Sequence, residues 1–219
     1  MSDDEKEPPL FGLDENGNFS IITSIRQQLE LTEGLKIARR YMAMNAFDGI
    51  LPVIGILMGG IISALVQPIE LVFGTTFLAA IGSSIAMFVS GIASSYLTEL
   101  AERRREFRAL ERAMLSDMSG SAYAMATKTT TRVVSLINGA SPAAAVIITI
   151  APMTLAIVGA IPLLDSMYLS VVAGVGLLFG LGVFLGKVSG EGKLIYGVKT
   201  LATGLVLILI MWLISWFTG

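Results

Sequence analysis

Neither cysteine nor histidine occurs among the 219 residues, and only 15% of them are Asp, Glu, Lys or Arg. The two missing residue types exclude disulfides, Cys/His zinc sites, haem ligation by histidine and imidazole proton relays. Metal or proton chemistry is left to carboxylate, thioether, hydroxyl and backbone oxygen. A nucleophile would find no visible base, since the chain has no Ser-Lys pairing and no paired carboxylates inside its apolar runs, so an enzyme is not expected. No cofactor and no nucleic-acid partner are expected either. With 54% hydrophobic residues and a mean hydropathy of +0.76, the chain is too apolar for an ordinary soluble domain and reads as an integral membrane protein.

Five apolar segments are long enough to cross a bilayer, which takes about 20 helical residues. They cover 41–66, 71–97, 142–164, 166–185 and 194–217. The expected fold class is therefore all-α, a polytopic membrane protein with five transmembrane helices. The remaining chain divides into an acidic, poorly ordered tail over 1–19, an amphipathic helix over 20–40 leading into the first span, and a helical insertion over 98–141 between spans two and three. The tail lacks the basic region of a secretory signal and carries no lipidation motif. Ile22, Ile25, Leu29 and Leu35 give the amphipathic helix its apolar face, for which an interfacial anchor is one reading. The stretch TELAERRREFRALERAMLSDM continues the second span as a charged helix expected to end at Gly120. Ser141 followed by Pro142 has the chemistry of a helix start for the third span.

All 15 Lys and Arg residues fall on one side if the N-terminus is cytoplasmic. They precede the first span, lie in the long insertion, or surround the short connection over 186–193. Basic residues near span ends are retained in the cytoplasm, so the C-terminus is expected outside. Five spans cannot divide into equal halves, and no internal repeat stands out. A transporter of this kind would need a second subunit for its symmetry, which points to a homodimer.

One carboxylate interrupts the first span. In NAFDGILPVIGILMGG, Asp48 lies eight residues after Arg40, about 12 Å along the helix axis. Pro52, Gly55 and Gly59 share its face, and small residues allow a neighbour to approach closely, so this face is expected to pack against protein. Pro52 also frees the carbonyl of Asp48 from its intrahelical bond. In the second span Ser83, Ser84, Ser90, Gly91 and Ser94 cluster around Met87, a hydroxyl stripe with a central thioether that is the best candidate for what Asp48 faces. Carboxylate with thioether suits borderline divalent ions such as Fe2+ better than Mg2+ or Ca2+. The competing readings are a neutral, hydrogen-bonded Asp48, a gap-filling Met87 and serines that act as helix-packing glue. Glu99, Glu102 and Glu106 on the charged helix would collect cations at a cytoplasmic mouth, or else belong to a salt-bridged solvated face. Glu70 and Asp165 sit at tight turns on the outer side. Gly176 with Gly180 and Gly182 with Gly186 read as packing pairs.

FDGILPVIGILMGG in the first span, GSSIAMFVSGIASSYLTE in the second, GAIPLL closing the third and GVKTLATGLVLIL in the fifth resemble the vacuolar iron transporter/calcium-cross-complementer family. Its members exchange cytosolic Fe2+ or Mn2+ for protons. The resemblance covers the chain from about Arg39 onward and implies that Asp48 and Met87 line an ion path at a dimer interface. A family glutamate eight residues before that methionine corresponds here to Ala79. The cytosolic insertion is shorter than the family's metal-binding domain and lacks its glutamate spacing. The expectation is a homodimeric, proton-coupled exporter of Fe2+ or Mn2+ in the lipid bilayer of a prokaryotic cell membrane, or of the vacuole in a eukaryote. Asp48 would bind metal and protons in turn, with Met87 and the hydroxyls completing the coordination. The alternative is a membrane structural or scaffold protein without transport activity.

Overall fold

Backbone amides surrounded by hydrocarbon have no water to bond, so long apolar runs close their hydrogen bonds within a helix. The computed structural model describes residues 20–115, 121–190 and 192–218, and its regular structure there is entirely α-helical. In chain order the helices are α1 (Ile21–Leu31), α2 (Gly34–Ser63), α3 (Ile69–Met114), α4 (Ala122–Ile157), α5 (Leu163–Ser189) and α6 (Lys193–Thr218). Helices α2 to α6 are each long and apolar enough to cross a membrane, as the sequence led us to expect. The acidic tail over 1–19 and the expected helix end at Gly120 lie outside the described residues.

The amphipathic segment does not run unbroken into the first span. Ser20 caps α1, accepting a hydrogen bond from the Thr23 amide at 3.4 Å, but the helix stops at Leu31. Glu33 then adopts φ 53°, a left-handed conformation that costs a non-glycine residue about 1–2 kcal/mol. Packing offsets that strain. Thr32 and Thr130 share a buried 2.6 Å hydrogen bond, and Gly34 abuts Thr130 so closely that a Cβ would lie 2.5 Å from its Cγ2.

Ser141 and Pro142 do not start a helix either. α4 runs continuously from Ala122 through both Pro142 and Pro152. The Ser141 hydroxyl donates instead to the Met42 carbonyl at 2.6 Å, joining α4 to α2. A Cβ on Gly49 would sit 2.4 Å from the Pro142 carbonyl oxygen, so backbone meets backbone at this crossing. The turn after the third apolar run begins at Val158, leaving Asp165 in the first turn of α5. Glu70 likewise sits in the first turn of α3. Both carboxylates meet the positive end of a helix dipole, worth about 0.3–1 kcal/mol each.

The chain forms two compact units, Met1–Tyr41 with Ile92–Ile137, and Met42–Gly91 with Asn138–Gly219. The second holds the apolar core. Val53 and Leu57 of α2, Val72 and Ala80 of α3, Val146 and Met153 of α4, and Met167 of α5 form its centre. Ile50, Ile54, Ala145 and Leu178 make a second cluster that α6 covers with Leu207 and Ile208. Because lipid is as apolar as these side chains, close packing and interhelical hydrogen bonds hold such a core. Gly182 illustrates this: its missing Cβ admits Thr200, whose hydroxyl donates to the Leu178 carbonyl at 2.8 Å. Gly186 likewise meets α6, whereas Gly176 and Gly180 are exposed with open space where a Cβ would be, so only one of the two expected packing pairs is used within the chain.

The first unit buries polar groups beside apolar ones such as Leu29, Ala126 and Val134. Thr130, Thr131, Ser135, Glu99 and Arg103 are buried there, and Phe107 of α3 stacks on Tyr123 of α4 with ring centroids 6.4 Å apart.

Candidate functional site

In the second unit α2 turns Ile50, Val53, Ile54 and Leu57 fully into the core. That commitment leaves Asp48 and Pro52 exposed on the opposite side. A Cβ on Gly55 would meet nothing within 4 Å, and one on Gly59 only the Met211 methyl at 3.8 Å. The expectation that this face packs on the second span is therefore not met within one chain. Asp48 forms no ion pair among the described residues. Pro52 lies inside α2, so the Asp48 carbonyl lacks the amide it would otherwise accept from.

The stripe on α3 is used differently. Ser84 is buried and donates to the Ala143 carbonyl of α4 at 3.2 Å, the packing role for a membrane serine. Met87 is half-buried and packs against the cluster around Val53 and Leu57. Ser83 is half-buried, while Ser90 and Ala79 are exposed.

Two residues that sequence reasoning passed over join the three helices. The Asn45 side-chain amide donates to the side-chain carbonyl of Asn138, whose own amide donates to the Gly91 carbonyl at 3.0 Å. Gly91 allows this, since a Cβ there would lie 2.7 Å from the Cα of Gly139. Asn45 stands three residues before Asp48, so the chain of amides fixes the helix turn that presents the carboxylate. An asparagine inside each of two apolar helices was the available signal.

In the first unit Glu99, Glu102 and Glu106 come together on the wall of one cavity of about 350 Å³. Glu33 adds a fourth carboxylate, and Arg40 and Arg103 bring two guanidinium groups. Glu99 is held by Arg103 through a 3.0 Å ion pair, both side chains only 6% exposed. Glu102 and Glu106 are exposed. Among the described residues no three carboxylates converge into a group able to hold a metal ion by themselves. The arrangement therefore offers two carboxylates without an ion pair among the described residues, Glu102 and Glu106, at the wall of a polar cavity, and two already paired, Glu99 with Arg103 and Glu33 with Lys36. The burial of Arg103 was not foreseen, because its neighbours Arg104 and Arg105 have the same local sequence character and are exposed.

Over 179 residues, the chain is 26% identical to an uncharacterized protein of Methanocaldococcus jannaschii. The match covers 80% of this chain and 87% of the archaeal one. No protein-family model matches the sequence. No solved structure matches it either. The archaeal relative matches most of the chain and, by its description, lends no activity to the site.

Proposed function

We propose that the protein is a homodimeric, proton-coupled carrier that exports a divalent metal, Fe2+ or Mn2+, from the cytosol. The observation that carries this reading is the exposure of Asp48 on an uncovered, small-residue face of a helix able to cross a membrane. A carboxylate facing lipid at that position is costly, about 2.5–3.5 kcal/mol for an aspartate at a helix centre on insertion scales. A second copy of the chain covers the face and shares the carboxylate, giving a ligand from each subunit. Metal and proton then compete for the same oxygens, which yields exchange without a further site. The freed Asp48 carbonyl supplies another oxygen, and Glu102 and Glu106 collect cations in the cytosolic unit. The resemblance to the vacuolar iron transporter family supports the same assignment.

The packing roles of Ser84 and Met87 favour a second reading, a membrane scaffold in which Asp48 fixes oligomer geometry. Metal uptake into proteoliposomes under an imposed proton gradient separates the two. Carriage predicts flux that depends on the gradient and is lost in Asp48→Asn. Transport unchanged in that variant would sink the role of Asp48, and absence of flux in the wild type would leave the scaffold.

A further inference from the structure

On the first unit, a second cavity of about 410 Å³ has the opposite chemistry. Arg103, Arg104, Arg108 and Lys128 line it, against the single carboxylate of Glu111. Arg104, Arg108 and Lys128 have no ion-pair partner among the described residues. Arg103 is buried, and its Nε is committed to Glu99, which holds the guanidinium in a fixed orientation beside the cavity. Thr127, also on the lining, has a buried hydroxyl without a hydrogen-bond partner among the described residues. A buried hydroxyl left unpaired costs about 1–3 kcal/mol, so a side-chain rotation that turned this donor into the cavity would gain an acceptor when an anion is bound.

Like charges gathered around a concave surface repel each other until an anion joins them. Guanidinium groups match the paired oxygens of a phosphate, lysine adds a point charge, and a hydroxyl supplies a neutral donor. A carboxylate ligand would use fewer of these donors, since it offers two oxygens where a phosphate group offers three or four. We propose that this cavity is a binding site for a phosphate group, carried either by an anionic lipid headgroup or by a soluble phosphate. The inference does not depend on the metal-carrier reading, because it uses none of the residues assigned to carriage there.

The test uses the full chain purified in detergent and in nanodiscs. Thermal stability is followed against inorganic phosphate, and lipid adducts are counted by native mass spectrometry with phosphatidylcholine alone or mixed with phosphatidylglycerol. The cavity variant is Arg108→Gln with Lys128→Gln. The control is Arg105→Gln with Arg112→Gln, which removes the same charge from an exposed part of α3 that does not line this cavity. Expected is saturable binding of phosphate, of phosphatidylglycerol, or of both, weakened about tenfold or more in the cavity variant and unchanged in the control. Response to phosphate identifies a soluble ligand, and response to phosphatidylglycerol alone identifies a headgroup. Binding to neither overturns the proposal, as does equal weakening in the two variants, which would show only general surface charge. Because all four substituted residues are exposed, both proteins are expected to fold, and Thr127→Val provides a second, uncharged test of the same site.

Discussion

A buried guanidinium and carboxylate stabilise a fold chiefly by not being separated. Glu99 and Arg103 are both almost fully enclosed, so removing one partner strands the other charge. Arg103→Met is expected to cost about 3–5 kcal/mol, whereas Arg103→Met with Glu99→Leu should recover most of that loss. Unfolding in mixed micelles for the four members of this cycle measures it, and additive losses would refute the pairing. The two asparagines behave more modestly. Asn138→Leu breaks two interhelical bonds that average about 0.6 kcal/mol each in membrane proteins, so roughly 1–2 kcal/mol is expected from the same measurement. At this scale the sequence was partly legible. Asp48 stands out because it is alone in an apolar run, while Glu99 looks like any glutamate on a charged helix. Its burial pairs it with Arg103, and the cavity wall they share also includes Thr32 and Tyr123, from distant sequence.

Among elements, the spans were readable because apolar length is itself the cause of their formation, whereas their ends were less so. Ser141–Pro142 carries the local chemistry of a helix start, yet a helix surrounded by neighbours can keep proline in its interior when other groups satisfy the freed carbonyls. The break at Glu33 escaped for the complementary reason: the partner that Thr32 and Gly34 pack against there is Thr130 of α4, which is far away in sequence. Close crossings divide the glycines into two classes with different expected responses. Gly49→Ala forces a Cβ into the Pro142 backbone and should destabilise by about 1–3 kcal/mol. Gly176→Ala enters open space and should stay within about 0.5 kcal/mol of wild type in the monomer. Thermal unfolding of the two single variants side by side checks both values; a comparable loss for Gly176→Ala would mean that its face is already occupied.

For the whole molecule, the absence of cysteine becomes an experimental convenience. Single cysteines introduced at Gln67 and Ser189 report sidedness without background. The distribution of Lys and Arg predicts that a membrane-impermeant maleimide labels Gln67→Cys in intact cells and reaches Ser189→Cys only after permeabilisation. Labelling of both, or the reverse order, would overturn the cytoplasmic N-terminus. The proposed dimer has its own test. Gly55→Leu fills the open space beside Asp48, so light scattering of the detergent-solubilised protein should show a lower dimer fraction while the monomer's unfolding temperature is kept.

Arg103 lines both the carboxylate-bearing cavity and the basic cavity of the first unit. One guanidinium is therefore the counter-charge for carboxylates on one side and part of an anion's cradle on the other. An anion that draws on its charge leaves the glutamate side more negative, and so raises the attraction for a cation there. Linkage requires the reverse with equal strength: a bound cation must tighten the anion by the same factor.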